Sequence, residues 1–288
     1  MPAKKKTIVT LAKSAGFCFG VRRALDIAKK VAKSKYRIEM LHDIVHNEEV
    51  IKDIKKSGIK KVNCLKEGSN KALLIQAHGM PKNIVKKAKR LGYRIMDATC
   101  PMVYEIHKIA SSMEKEGRTI IIIGDKNHIE VKGIADNLRK RPLIIANKKD
   151  IRAQRIRNIK KGGVVVQSTQ NVIKTEKIID ALRKSIKDLK VFNTICGITK
   201  KKQKEIRTMP LENDVMIIIG SRNSGNTKRL YEISKSLNKR SYWVETEKSL
   251  KKVWFKDARK IGVTAGASTP DYTIKSVLDR IVELTESK

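Results

Sequence analysis

"TIIIIGDKNHIE", residues 119 to 130, runs four isoleucines together, stops at a glycine and then turns polar. A run this short and this continuous reads as a strand buried on both faces, the pattern of a parallel sheet. A strand with one wet face would alternate instead. The same plan recurs in "TIVTLA" (7–12), "ALLIQAHGM" (72–80), "RIMDATCP" (94–101), "GVVVQSTQN" (163–171), "DVMIIIGSRNSGN" (214–226) and "IGVTAGASTPD" (261–271). Amphipathic helices separate the runs; Val21, Ala24, Leu25, Ala28 and Val31, for example, repeat at helical spacing. Strand, turn and helix in repetition predict an α/β fold of βαβ units with mostly parallel sheets.

The chain has 288 residues, enough for one large domain or two to three small ones. Hydrophobic residues make up 40 % and fall in short runs, as in a soluble globular protein. The longest run, Val215 to Ile219, is far short of the roughly 20 residues a membrane span needs. Near the N-terminus, Lys13 interrupts the apolar stretch that follows Lys4, Lys5 and Lys6, which is too short for a secretory signal. A cytoplasmic protein is expected. Net charge is +36, from 65 Lys plus Arg against 29 Asp plus Glu. That excess suits an anionic partner, but it equally suits lysines spread over solvated helix faces. Basic residues occur in every segment without forming a block, so charge alone does not choose. The alternative function is a basic nucleic-acid-binding protein. Against it, aromatic residues are only 4 %, leaving few stacking platforms, and no helix-turn-helix, zinc-finger or RNA-recognition signature occurs.

His46, His78, Cys100, His128, Ser168, Cys196, Ser224 and Ser268 each follow the end of a strand-like run. In open parallel sheets that edge is where ligands bind. No CxxC occurs among the four cysteines, which excludes zinc ribbons and thioredoxin-type motifs. Cys18, Cys100 and Cys196 fall in different thirds of the chain, each at a strand-to-helix junction, whereas Cys64 in "KKVNCLKEG" has no such junction and reads as structural. The expected lobes are 18–99, 100–195 and 196–288, joined by an N-terminal strand within 1–17. Three similar α/β lobes around a pseudo-threefold axis would bring the three thiols to one point. Helix N-termini stabilise thiolates, and Pro101 suits a first helical position. Three converging thiolates suit an iron–sulfur cluster with one open iron. A three-cysteine zinc site or three unrelated buried thiols fit the spacing as well.

The motifs around these residues narrow the choice. "GFCFGVRRA", "HDIVHNEEV", "AHG", "DATCP", "HIEVKG", "QSTQ", "NTIC", "GSRNSGNTKRL" and "GVTAGASTPD" occur in this order from residue 16 to 271. In them the chain resembles the 4-hydroxy-3-methylbut-2-enyl diphosphate reductase family, the last enzyme of the non-mevalonate isoprenoid pathway. The resemblance implies a three-lobed α/β protein holding a [4Fe–4S] cluster through Cys18, Cys100 and Cys196. It also implies that the substrate's hydroxyl binds the fourth iron. Two electrons and two protons then expel water and give isopentenyl and dimethylallyl diphosphates. A monomer or weak dimer is expected. Because electrons must arrive singly at a strongly basic protein, the expected donor is a small acidic ferredoxin or flavodoxin.

Within that resemblance, His46, His78, His128, Ser224, Asn226 and Ser268 are the expected diphosphate donors, with Ser168 and Gly225 in the same pocket. Helix N-termini add backbone N–H groups there. Glu130 stands two residues after His128, and Glu48 stands likewise after His46, so spacing does not separate them. The strand end and the resemblance favour Glu130 as the proton relay, together with His128 and with Ser168 or Thr169 orienting it. His42 and His107 match no donor role and read as structural. The chain departs from the family pattern at four places: Ser168 for threonine, Gly225 for serine, Ile129 for proline and Lys202 for arginine.

Overall fold

A computed structural model of the chain describes residues 7–153 and 156–286. In chain order the elements begin with β1 (Ile8–Leu11), α1 (Phe19–Ala32), β2 (Arg37–Met40), α2 (Glu48–Lys56), β3 (Lys60–Lys61) and β4 (Lys71–Ile75). Next come α3 (Lys82–Arg90), β5 (Arg94–Asp97), α4 (Pro101–Lys115), β6 (Thr119–Ile123), α5 (Ile129–Asp136), β7 (Leu143–Ile145) and α6 (Lys148–Ala153). The remainder are β8 (Lys161–Val166), α7 (Val172–Arg183), β9 (Asp188–Val191), α8 (Gly197–Glu212), β10 (Val215–Ile219), α9 (Gly225–Leu237), β11 (Ser241–Val244), β12 (Lys260–Ala265) and α10 (Asp271–Glu286).

Among the described residues twelve strands form three four-stranded sheets, all parallel, with orders β3-β2-β4-β5, β7-β6-β8-β9 and β11-β10-β12-β1. The three orders are one order repeated. In the last sheet the fourth place is filled from the other end of the sequence: β1 pairs with β12 as β5 pairs with β4 and β9 with β8. This is the α/β architecture that the apolar runs predict. The N-terminal strand expected within 1–17 is β1; residues 1–6, with their three lysines, and 287–288 at the end of the last expected lobe lie outside the described residues.

The described chain divides into two compact units. One comprises 7–18, 46–50 and 197–286 and contains the β11-β10-β12-β1 sheet. The other comprises 19–45 and 51–196 and contains the other two sheets. In each unit the central strands are covered on both faces. Ile121 and Ile123 pack with Val164 and Val166 against α7, while Ile120, Ile122 and Val165 pack with Ile106 and Met113 of α4. In the first unit Ile217 and Val263 face Val277 and Ile281 of α10, while Met216 and Ile218 face Ile206 and Leu230. Each such side chain contributes about 1.5–3 kcal/mol by leaving water, and this two-sided burial explains the continuous apolar runs. Among the described residues no helix is long and apolar enough to cross a membrane.

Candidate active site

Each of the three sheets sends its fourth strand into a short turn, a cysteine and a helix. Cys18 follows β1 and precedes α1, Cys100 follows β5 and precedes α4, and Cys196 follows β9 and precedes α8. The local bonding repeats as well. The backbone N–H of Cys18 donates to Ala267 O at 3.0 Å, that of Cys100 to Ala77 O at 2.9 Å and that of Cys196 to Ser168 O at 3.0 Å. Each acceptor lies two residues past the end of the neighbouring strand, β12, β4 or β8, inside a turn closed by a 3.1 Å bond: Thr269 N to Gly266 O, Gly79 N to Gln76 O and Gln170 N to Gln167 O. The three thiols therefore occupy one position of a thrice-used fold. Cys64 does not share it and is exposed, so it fills no core either.

In the larger unit the turn after β8 brings Ser168 to Glu130, the residue expected to relay a proton. Glu130, in the first turn of α5, is wholly buried. Ser168 donates to it twice, from its backbone N–H to Oε1 at 2.6 Å and from Oγ to Oε2 at 2.7 Å. Burial pushes the Glu130 carboxyl up, and the two bonds from Ser168 oppose that rise without overcoming it. Of the two hydroxyls expected beside Glu130, Ser168 is the one bonded to it. Thr169 Oγ1 instead accepts from Gln167 Nε2 at 3.2 Å.

His128 is the N-cap of α5: its Nδ1 accepts from Glu130 N at 3.2 Å, which leaves the neutral ring's proton on Nε2, a donor. Ile129 follows at the first helical position, where the family's proline would be preorganised. His78 lies in the turn after β4, and its ring meets that of His128 edge-on, with centroids 5.7 Å apart. Gly79 closes that turn at φ +80°, a conformation few side chains adopt.

One supporting residue escaped the sequence reading. Gln167 Oε1 accepts from Asp125 N at 2.8 Å and so holds the loop leading to His128; only its place inside "QSTQ" hinted at this. His107 accepts a bond at Nδ1 from Asn137 at 3.2 Å, beside a cleft of about 510 Å³ between α3 and α4. Burial first, and Lys82 second, lower the His107 pKa to about 4. Its structural reading stands.

The smaller unit holds the remaining expected donors. Ser224 is the N-cap of α9, its Oγ accepting from Thr227 N at 3.3 Å, and Gly225 and Asn226 are the next two residues of the helix. Asn226 is buried, yet neither its Oδ1 nor its Nδ2 has a hydrogen-bond partner. Buried amides are rarely left so unless a ligand completes them. Ser268 Oγ donates to His46 O at 3.0 Å, and Asn223 Nδ2 donates to Glu48 Oε1 at 3.4 Å. These two bonds bring the His46 segment to the turns after β12 and β10. Glu48 is exposed and opens α2, unlike the buried Glu130. Lys202, which stands where the family pattern has arginine, points into the protein. It is 1 % exposed, bonded to backbone carbonyls, and its pKa falls to about 8 through burial.

The donor set fits a thiolate-bound iron–sulfur cluster in type and number. Three cysteine thiols are half-buried and alike in their place in the fold, and soft sulfur ligands favour such clusters. Among the described residues no three or more His, Cys, Asp or Glu side chains are gathered as a metal site.

The sequence profile of the LytB protein family matches residues 9–282. A Campylobacter lari protein named 4-hydroxy-3-methylbut-2-enyl diphosphate reductase is 38 % identical over 279 residues, covering 96 % of this chain and 99 % of its own. An Aquifex aeolicus protein of the same name is 36 % identical over 286 residues, with 97 % and 98 % covered. Among solved structures, the Plasmodium falciparum E-1-hydroxy-2-methyl-but-2-enyl-4-diphosphate reductase superposes with a TM-score of 0.90 at 30 % identity, covering 95 % of this chain and 87 % of that one. Another, described as the terminal enzyme of the non-mevalonate pathway, gives 0.71 at 35 % identity, covering 96 % and 100 %.

Proposed function

This chain belongs to the LytB protein family, and from that membership we propose that it reduces 4-hydroxy-3-methylbut-2-enyl diphosphate to isopentenyl and dimethylallyl diphosphates. The observation that carries the reading is the threefold repetition of one strand–turn–cysteine–helix arrangement, with equivalent backbone bonds at Cys18, Cys100 and Cys196. Held by these three thiolates, a [4Fe–4S] cluster supplies electrons and Lewis-acid chemistry. The C–O bond of the allylic alcohol breaks, two electrons enter the carbon skeleton, one proton completes water and a second ends on carbon.

The chain's own groups bind and protonate. Hydroxide leaves poorly unless it is protonated, and Glu130 is a carboxyl whose burial favours the neutral, proton-carrying form. Ser168 fixes its orientation through both oxygens, with Thr169 as the adjacent hydroxyl. His128, whose Nε2–H is a donor, belongs to the same relay. The diphosphate takes donors from His46, His78, His128, Ser224, Asn226 and Ser268 and from the backbone at the start of α9, where Gly225 leaves room for close approach. The unpartnered amide of Asn226 supports this assignment. Electrons come from a small acidic ferredoxin or flavodoxin, and the protein works in the cytoplasm as a monomer or weak dimer. Anaerobic purification tests the reading: a brown protein absorbing broadly near about 400 nm, with about four irons and four sulfides per chain, is expected. A colourless protein that stays metal-free after reconstitution with iron and sulfide overturns it.

A further inference from the structure

Lys202 lies in the second turn of α8 and is among the largest fully buried side chains among the described residues. A buried ammonium is costly unless each of its hydrogens is bonded. Here all three find backbone carbonyls: Ser14 O, Gly16 O at 3.2 Å and Ala265 O at 2.9 Å. Ser14 and Gly16 belong to the turn between β1 and Cys18, and Ala265 ends β12. One side chain thus ties the cysteine-bearing turn to the end of the neighbouring strand.

Glu205, on the same helix, grips the turn at a second point by accepting from both the N–H and the Oγ of Ser14. Gly16 sits at φ +86°, where a Cβ would stand 3.1 Å from Asp271 and Ile274, so the turn has little room to reshape. Burial lowers the Lys202 pKa, and Cys18, when ionised, and Glu205 oppose that fall. A milder version occurs in the other unit. Arg23, on the helix after Cys18, donates from Nη1 to Thr99 O at 3.0 Å, the carbonyl just before Cys100. In the turn before Cys196, Thr194 Oγ1 accepts from Val166 N at 2.8 Å.

We propose that Lys202 is a positioning residue for Cys18, fixing the turn that carries this thiol and keeping a positive charge beside it. The inference rests on the cluster reading above. A cation next to a thiolate-bound cluster favours the reduced, more negative state, so Lys202 serves both retention of the cluster and its reduction.

The test uses Lys202→Met, which removes charge and donors at similar length, Lys202→Gln, which keeps a donor without charge, and Lys202→Arg, which keeps both. In the metal-free full chain, amide exchange at Cys18 should quicken at least tenfold in Lys202→Met while Val263 within β12 stays protected. In the loaded protein, both neutral variants should shift the redox equilibrium about tenfold toward the oxidised cluster, about 59 mV for one electron. They should also lose iron faster to a chelator, and Lys202→Arg should stay near the parent protein in each measurement. Unchanged exchange at Cys18 with an unchanged potential overturns the proposal. So does loss of β12 protection in both neutral variants, because Lys202 would then serve the whole unit and not the turn. A parent protein that takes up no cluster refutes the reading above instead, while the exchange measurement still decides on the clamp.

Discussion

Ser168 holds Glu130 with two hydrogen bonds, one to each carboxyl oxygen, and the same Ser168 carbonyl receives the N–H of Cys196. The proposed proton relay and one proposed cluster ligand thus share a single residue as their support. Glu130→Gln preserves shape and both contacts, because the amide oxygen accepts from Ser168 N–H and the amide nitrogen donates to Ser168 Oγ. It cannot deliver a proton. Single-turnover consumption of the allylic diphosphate should slow by about 10²–10⁴-fold, with iron content unchanged. Near-normal turnover with an intact cluster contradicts the relay.

The same variant has a stability signature. The Glu130 carboxyl is raised above its ordinary value of 4.5, so above that pH the folded chain binds more protons than the unfolded one. Parent stability therefore falls as pH rises from 4.5 through the folded-state value, while that of Glu130→Gln does not. At pH 7 the variant should melt higher than the parent, with the difference shrinking toward pH 4.5. A lower Tm for Glu130→Gln at pH 7 contradicts the burial argument.

His107 gives the opposite sign. Its pKa falls from 6.5 to about 4 through burial, so the unfolded chain binds the extra proton between those values. Stability is lost as pH falls from 6.5 to 4, by up to about 3 kcal/mol. Urea unfolding of His107→Gln should show a flatter profile over this window. Equal slopes for parent and variant contradict the assignment.

How much of this was open to a reader of the sequence depends on burial. The β6, β8, β10 and β12 strands are legible because helices cover both their faces, leaving the unbroken runs Ile120–Ile123 and Val215–Ile219. The short strands β2, β3, β7, β9 and β11 are not singled out. Apart from β2 they lie at sheet edges, and residues such as Lys60, Lys61 and Asp188 are exposed. The cysteines stand out because strand-to-helix junctions are a local pattern. The choice of Ser168 over Thr169 beside Glu130 is a matter of side-chain direction between two elements, which neighbouring hydroxyls in a sequence do not encode. Lys202 is visible only as a departure from arginine; its carbonyl cage is made by segments from both ends of the chain.

The equivalence of the three junctions has a direct consequence. Cys18→Ser, Cys100→Ser and Cys196→Ser should each lose iron and sulfide after anaerobic reconstitution. Cys64→Ser, altered at an exposed site after β3, should retain both. A Cys64→Ser protein without cluster contradicts the assignment of ligands.

Charge predicts the response to salt. With +36 on the chain, association with the proposed small acidic electron donor should be steered electrostatically and fade as ions screen it. Turnover at limiting reduced ferredoxin should drop as ionic strength rises, while turnover with a small chemical reductant changes little. A flat profile with ferredoxin contradicts steering.

The central claim is reductive loss of the substrate hydroxyl, and product analysis tests it most directly. Cluster-loaded protein, reduced anaerobically, is mixed with 4-hydroxy-3-methylbut-2-enyl diphosphate, and products and electrons consumed are counted. Isopentenyl and dimethylallyl diphosphates should appear together, with two electrons used per molecule of substrate. Loaded, reduced protein that leaves the alcohol intact, or releases phosphate from it instead, contradicts the account.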